Sequence, residues 1–178
     1  MTPAMRSRGF TLIELLVTMT LAGILMLLAV PSFTKLLANQ RLGASASELV
    51  TTAMQARSAA LKHNQRVIVQ PTASDGDWAK GWRIYVDIDR NSSFSSTTDT
   101  LIVTMDAMPD GITVEKLSGT NNFFGYDGSG FLASIGGSSN STWKISSSKT
   151  ERIRCLIVER SGRARIQDPY PGTSCSTS

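Results

Sequence analysis

The sequence has very little histidine or cysteine, two residue types on which many enzyme active sites depend. Among its 178 residues there are one histidine, His63, and two cysteines, and there is no C-x-x-C, P-loop, G-x-S-x-G or H-E-x-x-H pattern. A catalytic triad would have to use His63, which lies at the end of a predicted helix and is expected to cap it. We therefore predict a protein that is not an enzyme, with no cofactor and no metal site.

Charged residues are scarce near the N-terminus. Between positions 10 and 30 only Glu14 is ionisable, and Arg6 and Arg8 precede this apolar run. A helix of this length spans about 30 Å, the thickness of a bilayer core. The positive-inside rule keeps Arg6 and Arg8 in the cytoplasm and sends the remainder of the chain across the membrane. We therefore predict a single-pass inner-membrane protein with a periplasmic head.

An ordinary secretory cleavage site is missing too, because no small-residue site follows the apolar run. The small residue Gly9 precedes the run, in the sequence RGFTLIELL. This motif resembles the prepilin signature of type IV pilins and type II secretion pseudopilins. The resemblance implies that prepilin peptidase cleaves after Gly9, that the new N-terminus, Phe10, is N-methylated, and that Glu14 pairs with the Phe10 amine of a neighbouring subunit. A carboxylate inside a membrane helix is costly and usually functional, which agrees with that role for Glu14.

The apolar stripe continues beyond residue 30 at three- and four-residue spacing, which predicts one helix over about residues 10–62. Short alternating segments then predict strands at 66–70, 81–88, 101–105, 112–117, 122–126, 131–135, 143–146, 152–160 and 163–167. A long helix followed by many strands indicates an α+β fold with antiparallel sheet. The chain is thus divided into a leader (1–9), a transmembrane or filament-core helix (10–30), an amphipathic second half of the helix (31–63) and a β-rich head (64–178).

The segment GWRIYVDIDRN, residues 81–91, precedes a short strand and a Pro-Asp-Gly turn. It is similar to the GspH/FimT group of minor pilins. The resemblance implies a type IV pilin fold, in which two small β-sheets pack with the long helix, and it implies other pilins as partners.

Asp87, Asp89 and Asn91 within this segment have the spacing that opens a calcium-binding loop. Ser92 stands where such a loop needs glycine, and Thr98 stands where it needs a bidentate glutamate. We therefore predict a strand that ends in a polar turn, and no metal site.

Positive charge is concentrated near the C-terminus, where residues 144–178 hold seven basic and three acidic side chains. This charge fits an anion-binding surface and also a merely solvated one. Ser161 and Gly162 predict a two-residue hairpin turn, which sets Arg160 opposite Arg163. Alternation then predicts one hairpin face with Arg152, Arg154, Arg160, Arg163 and Arg165, and a core-side face with Ile153, Cys155, Ile157, Ala164 and Ile166.

The run Gly162-Arg-Ala-Arg165 resembles the Gly-Arg-x-Arg motif of FimT pilins, which bind DNA and assist natural transformation. The resemblance implies that Gly162 forms the turn while Arg163 and Arg165 contact phosphates. The predicted DNA-binding residues are Lys149, Arg152, Arg154, Arg160, Gly162, Arg163 and Arg165. The function predicted is thus a minor pilin that binds DNA; the alternatives are a minor pilin that primes pilus assembly without DNA, and a minor pseudopilin of type II secretion.

The two cysteines, Cys155 and Cys175, lie close to this hairpin in the sequence. A cysteine pair in an exported chain predicts a disulfide, which would hold the C-terminal tail against the arginine strand. Two unrelated free thiols and one half of a metal site are the alternatives.

Overall fold

The computed structural model describes residues 10–119, 121–135, 140–169 and 174–175, without the side chains of residues 27–31. The predicted leader, including Gly9, lies outside the described residues, and so do residues 170–173 and 176–178. The chain divides into two compact units, residues 1–37 and 38–178, which are described separately below.

One helix, α1, extends over Leu12–His63, close to the predicted range. In the first unit its large apolar side chains are exposed, including Leu12 at 77% and Ile13 at 71%. The hydroxyls of Thr18 and Thr20 donate to the carbonyls of Leu15 and Leu16 in the same helix (2.9 and 3.0 Å). Within the described part of the chain, no helix contains a segment apolar and long enough to cross a membrane.

In the second unit, α1 buries a stripe of mostly small side chains at alternating four- and three-residue spacing: Leu42, Ala46, Leu49, Ala53, Ala56 and Ala60. This spacing keeps the stripe on one helix face, and the alanines allow the β-sheets to approach the helix axis closely.

The described residues of the head form eight strands: β1 (Val67–Pro71), β2 (Trp82–Val86), β3 (Thr100–Met105), β4 (Ile112–Ser118), β5 (Phe124–Tyr126), β6 (Ser141–Ser147), β7 (Thr150–Val158) and β8 (Ala164–Gln167). They form two antiparallel sheets with the orders β3-β2-β1-β5 and β4-β6-β7-β8. The predicted fold class, a long helix with two small antiparallel sheets, is confirmed. The strand predicted at 131–135 is wrong, because only Leu132 forms an isolated bridge, with Tyr126.

Aromatic side chains fill the space between the sheets and α1. Trp78 stacks on Phe124 with ring centroids 5.9 Å apart, and Trp143 meets Phe124 edge-on at 5.0 Å. The indole of Trp82 donates a hydrogen bond to the hydroxyl of Thr52 on α1 (3.1 Å). The core therefore contains large rings, and a helix hydroxyl satisfies one of their polar groups.

Candidate functional site

The C-terminal hairpin has a different register from the predicted one. Val158 pairs with Ala164 and Ile157 with Arg165, and the Glu159 N–H donates to the Arg163 carbonyl (2.9 Å). Three residues, 160–162, therefore form the loop, and the expected pairing of Arg160 with Arg163 is wrong. A two-residue type I′ turn needs positive φ at both central residues, but of Ser161 and Gly162 only the glycine has it, at 82°.

This shift by one residue moves every side chain of β8 to the opposite face relative to β7. Ala164 and Ile166 lie on the core side together with Leu156 and Val158. Arg165 instead shares the outer face with Ile157, while Arg154 alternates onto the core-side face. The prediction that all five arginines share one face is therefore wrong, as is the predicted set of core-side residues.

Two of the predicted arginines are neutralised within the head. Arg165 Nε lies 2.9 Å from Glu159 Oε1, and its side chain is 39% exposed. Arg154 forms an ion pair with Asp168 and is 19% exposed. Both guanidinium groups therefore have a carboxylate partner that an external anion would have to replace.

The other predicted cations are exposed and form two groups. Arg160 and Arg163 flank the hairpin turn, whereas Lys149 and Arg152 lie at the opposite end of β7. None of these four has an acidic partner within the described residues. The cations that are free to meet an anion are thus at the two ends of the hairpin.

Neighbouring elements hold the hairpin turn on both sides. The Leu132 N–H donates to the Arg160 carbonyl (3.1 Å), and Arg57 Nη2 on α1 donates to the Ser161 carbonyl (3.1 Å). Gly162 is so close to the 127–130 loop that a Cβ atom there would lie 2.0 Å from the Gly130 carbonyl oxygen. The turn is therefore fixed in position, so Arg160 and Arg163 extend from a rigid support.

Sequence reasoning missed Arg57, which brings a third guanidinium to this turn. No local motif marks it, because its partner is far away in the sequence and only the folded head brings the two together. Asp127, in the same neighbouring loop, is an acidic group near the turn, and its carboxylate accepts the N–H groups of Ser129 and Phe131 (2.9 and 3.1 Å).

The predicted disulfide is confirmed. Cys155 and Cys175 are bonded, with their Cα atoms 5.7 Å apart, and both residues are buried. Cys155 lies on the outer face of the second sheet beside Ile157, so the bond ties the C-terminal segment to that face.

Glu14 lies at the N-terminus of α1, where it forms a capping box with Thr11. The Thr11 N–H and hydroxyl donate to Glu14 Oε2 (3.3 and 3.2 Å), and the Glu14 N–H donates to Thr11 Oγ1 (3.3 Å). This arrangement satisfies backbone donors that the helix end leaves free. Phe10 is 72% exposed. The predicted pairing of Glu14 with an amine is a contact between subunits and stays a prediction.

Two protein families match the chain. The family described as Type II transport protein GspH matches residues 45–162, about two thirds of the sequence. The chain belongs to the GspH family. The family described as Prokaryotic N-terminal methylation motif matches residues 4–30. This GspH-family protein is therefore type IV prepilin-like.

Several solved structures are similar to this GspH-family protein. The type IV minor pilin FimU of Pseudomonas aeruginosa strain PAO1 in space group P21 is 21% identical with a TM-score of 0.60, over 75% of this chain and 96% of that one. FimU in space group P65 is 21% identical with a TM-score of 0.54, over 72% and 98%. The minor pseudopilin EpsH from the Type 2 Secretion System of Vibrio cholerae is 11% identical with a TM-score of 0.47, over 75% and 99%. A comparison with curated proteins finds no significant match.

Proposed function

We propose that this protein is a minor pilin of a type IV pilus and that it binds DNA through the turn of its C-terminal hairpin. In this proposal residues 10–30 anchor the chain in the inner membrane, with the head in the periplasm, until it enters the filament and reaches the cell surface. Prepilin peptidase cleaves after Gly9, and Phe10 is methylated. The fold and the match to the N-terminal methylation family support this part of the proposal.

The chemistry of α1 agrees with a lipid or filament-core environment. Most of its exposed side chains over the first turns are apolar, and Thr18 and Thr20 donate to carbonyls of their own helix. The core of a bilayer contains no water, so polar groups there need hydrogen-bond partners within the protein. The threonine hydroxyls have such partners within their own helix.

The role of Glu14 in filament assembly is tested by separating its charge from its capping function. Glutamine in the third helical position also completes a capping box, so Glu14→Gln keeps the helix end and removes the charge. We expect the variant to insert normally but to be absent from sheared pili, as measured by immunoblotting of membrane and filament fractions. Normal incorporation of Glu14→Gln would contradict the proposed pairing with the Phe10 amine.

The DNA-binding part rests on one observation: the turn presents Arg160 and Arg163 exposed, without acidic partners in the described chain, on a support held from two sides. Arginine suits phosphate because its planar group donates two parallel hydrogen bonds. A held turn reduces the conformational entropy lost on binding. Binding of this kind reads the backbone of DNA and depends strongly on salt.

The test is fluorescence anisotropy of a labelled DNA duplex with the full chain in detergent micelles. Each phosphate contact contributes about 0.9 to the slope of log affinity against log salt. The double variant Arg160→Gln/Arg163→Gln should therefore flatten the slope by about 2. Arg165→Gln should have a smaller effect, because Glu159 already neutralises Arg165.

The matched control is Lys149→Gln/Arg152→Gln, which removes the same charge at the opposite end of β7. We expect it to retain most of the salt slope. Equal effects of the two double variants would show that only net charge matters, and unchanged affinity of Arg160→Gln/Arg163→Gln would remove the turn as the binding site.

A second candidate is a minor pseudopilin of type II secretion, which the description of the matching family favours. A third is a minor pilin that primes pilus assembly without DNA. Deletion of the gene in the host separates them: loss of secreted enzymes supports type II secretion, and loss of pili supports a pilin. Normal transformation by a strain with Arg160→Gln/Arg163→Gln would favour priming over DNA uptake.

A further inference from the structure

The loop that joins β2 to β3, residues 87–99, folds back over the outer face of the first sheet. The ring of Phe94 meets Tyr85 edge-on at 5.2 Å, and Arg83 Cζ lies 4.8 Å from the centre of the Phe94 ring. These contacts anchor the middle of the loop, and the antiparallel pairing of β2 with β3 holds its two ends close to one another.

Three carboxylates converge where the loop ends meet. Asp87, Asp89 and Asp99 each contribute one oxygen, and these oxygens lie within 4.8 Å of one another. Asp87 is 2% and Asp99 8% exposed. Two oxygens on opposite sides of a Ca²⁺ ion are about 4.6–5.2 Å apart, since each lies 2.3–2.6 Å from the metal. The spacing of these carboxylates therefore fits a single ion.

Asp87 is the most deeply buried of the three carboxylates. The Asp87 side chain is completely buried, and its Oδ1 has no hydrogen-bond partner among the described residues. Its Oδ2 accepts the Ser92 N–H (3.2 Å) and lies 2.5 Å from Arg66 Nη2. A buried anionic oxygen is costly unless it is paired or coordinates a metal.

The charges of this group favour a divalent cation. Arg66 forms an ion pair with Asp87, whereas Asp89 and Asp99 form no ion pair within the described part of the chain. All the candidate ligand atoms are carboxylate oxygens, which hard cations prefer, and Ca²⁺ tolerates irregular arrangements of them better than Mg²⁺ does.

The two features that argued against a calcium loop in the sequence take a different form in the structure. Ser92 adopts a φ of 65°, so a non-glycine residue makes the turn that glycine usually makes. Asp99, one position after Thr98, brings the carboxylate that Thr98 lacks, and its oxygens are fixed by the N–H groups of Ile88 and Ser95 (3.1 and 2.8 Å).

We propose that residues 87–99 bind one Ca²⁺ ion through carboxylate oxygens of Asp87, Asp89 and Asp99. This site is separate from the hairpin turn, so the calcium proposal and the DNA-binding proposal are tested independently of each other. Its occupancy would stabilise the β2–β3 connection, because the ion binds the folded loop and not the unfolded chain.

The experiment uses the full chain in detergent micelles, stripped of metal with EDTA. Isothermal titration with CaCl2 should give a dissociation constant on the order of 10⁻⁴–10⁻³ M, typical of extracellular modules, or tighter. Ca²⁺ should also raise the unfolding midpoint followed by tryptophan fluorescence. Neither heat nor a midpoint shift at about 10 mM Ca²⁺ would overturn the proposal, and equal affinity for MgCl2 would overturn the assignment to Ca²⁺.

The variant is Asp89→Asn, since Asp89 is exposed and asparagine keeps an oxygen that can accept the Asn91 N–H. Its Ca²⁺ affinity should fall by about tenfold or more, because affinity depends on ligand charge, while its midpoint in EDTA stays at the wild-type value. The control is Asp110→Asn, an exposed acid in the turn before β4, which should bind as the wild type does. Wild-type affinity of Asp89→Asn, or an equal loss of midpoint with and without Ca²⁺, would contradict a ligand role.

Discussion

Gly162 is the residue of the hairpin turn whose replacement should be most informative. A Cβ atom at this position would lie 2.0 Å from the Gly130 carbonyl oxygen and 3.1 Å from Arg57 Nε. The first contact is far inside van der Waals distance and is made by backbone, which cannot rotate away. Gly162→Ala should therefore push the turn off the 127–130 loop and weaken the hydrogen bond between Leu132 and Arg160.

The size of the effect follows from two separate costs. Gly162 has a φ of 82°, and a non-glycine residue in this region costs about 1–2 kcal/mol. Forcing a methyl group into a packed site costs a further 1–3 kcal/mol or so. We therefore expect Gly162→Ala to lower the free energy of unfolding by about 2–5 kcal/mol, a large part of the roughly 5–15 kcal/mol of a typical domain.

Gly111→Ala is the matched control. Gly111 has nearly the same φ, 84°, but its Cβ would meet the Ser148 hydroxyl at 2.7 Å, and that side chain can rotate away. This control should lose only the conformational part, about 1–2 kcal/mol. Urea unfolding followed by fluorescence of the three buried tryptophans measures both variants. Equal losses would refute the argument that contact with Gly130 requires glycine at position 162.

Two further predictions concern the interior of the head. Burial raises the pKa of the Tyr126 phenol above its usual value. The phenol of the unfolded chain therefore ionises first, above about pH 10, and this ionisation favours the unfolded state. The stability that the neutral, buried Tyr126 provides is thus complete below about pH 10 and is lost as the pH rises above it. The Tyr126 hydroxyl has no hydrogen-bond partner among the described residues, so Tyr126→Phe should be as stable as the wild type near neutral pH. Between about pH 9 and pH 11 the variant should lose less stability than the wild type, as measured by urea midpoints. An equal loss in both proteins would contradict this prediction. Replacing both Cys155 and Cys175 by alanine should cost about 3 kcal/mol for a loop closed over a separation of 20 residues, and an unchanged urea midpoint would contradict it.

The elements that the sequence predicts well are those with a strong periodic pattern. The helix over Leu12–His63 and most strands lie near their predicted positions, because the apolar residues repeat with the helix or strand period over several turns. The segment at 131–135 lacks this support: Phe131 is 53% exposed, and a tight turn precedes it. Its apolar residues therefore do not indicate a strand.

The alternation of polar and apolar residues does not predict the register of the β7–β8 hairpin. The last four residues of β7, from Cys155 to Val158, are all buried, because the core covers one face and the disulfide-linked segment reaches the other. A strand buried on both faces has no polar-apolar alternation to fix its register. The Ser161-Gly162 pair is the other sequence feature that bears on the register, and it fits a two-residue turn and a three-residue loop equally well. Which of the two forms depends on where Gly162 can pack in the folded head.

This distinction changes what the Gly-Arg-x-Arg pattern means in this chain. Gly162 is required by its contact with Gly130, Arg165 is paired with Glu159, and only Arg163 is exposed and without an acidic partner in the described residues. The glycine of the pattern thus serves packing, its second arginine forms an ion pair, and its first arginine is the one cation of the pattern that is available to an anion. Replacing the glycine would disturb the packing of the turn as well as any contact that the turn makes, so a loss of DNA affinity in such a variant would not locate the binding site. A test of the nucleic-acid proposal must therefore change the charges at Arg160 and Arg163 and leave the glycine in place.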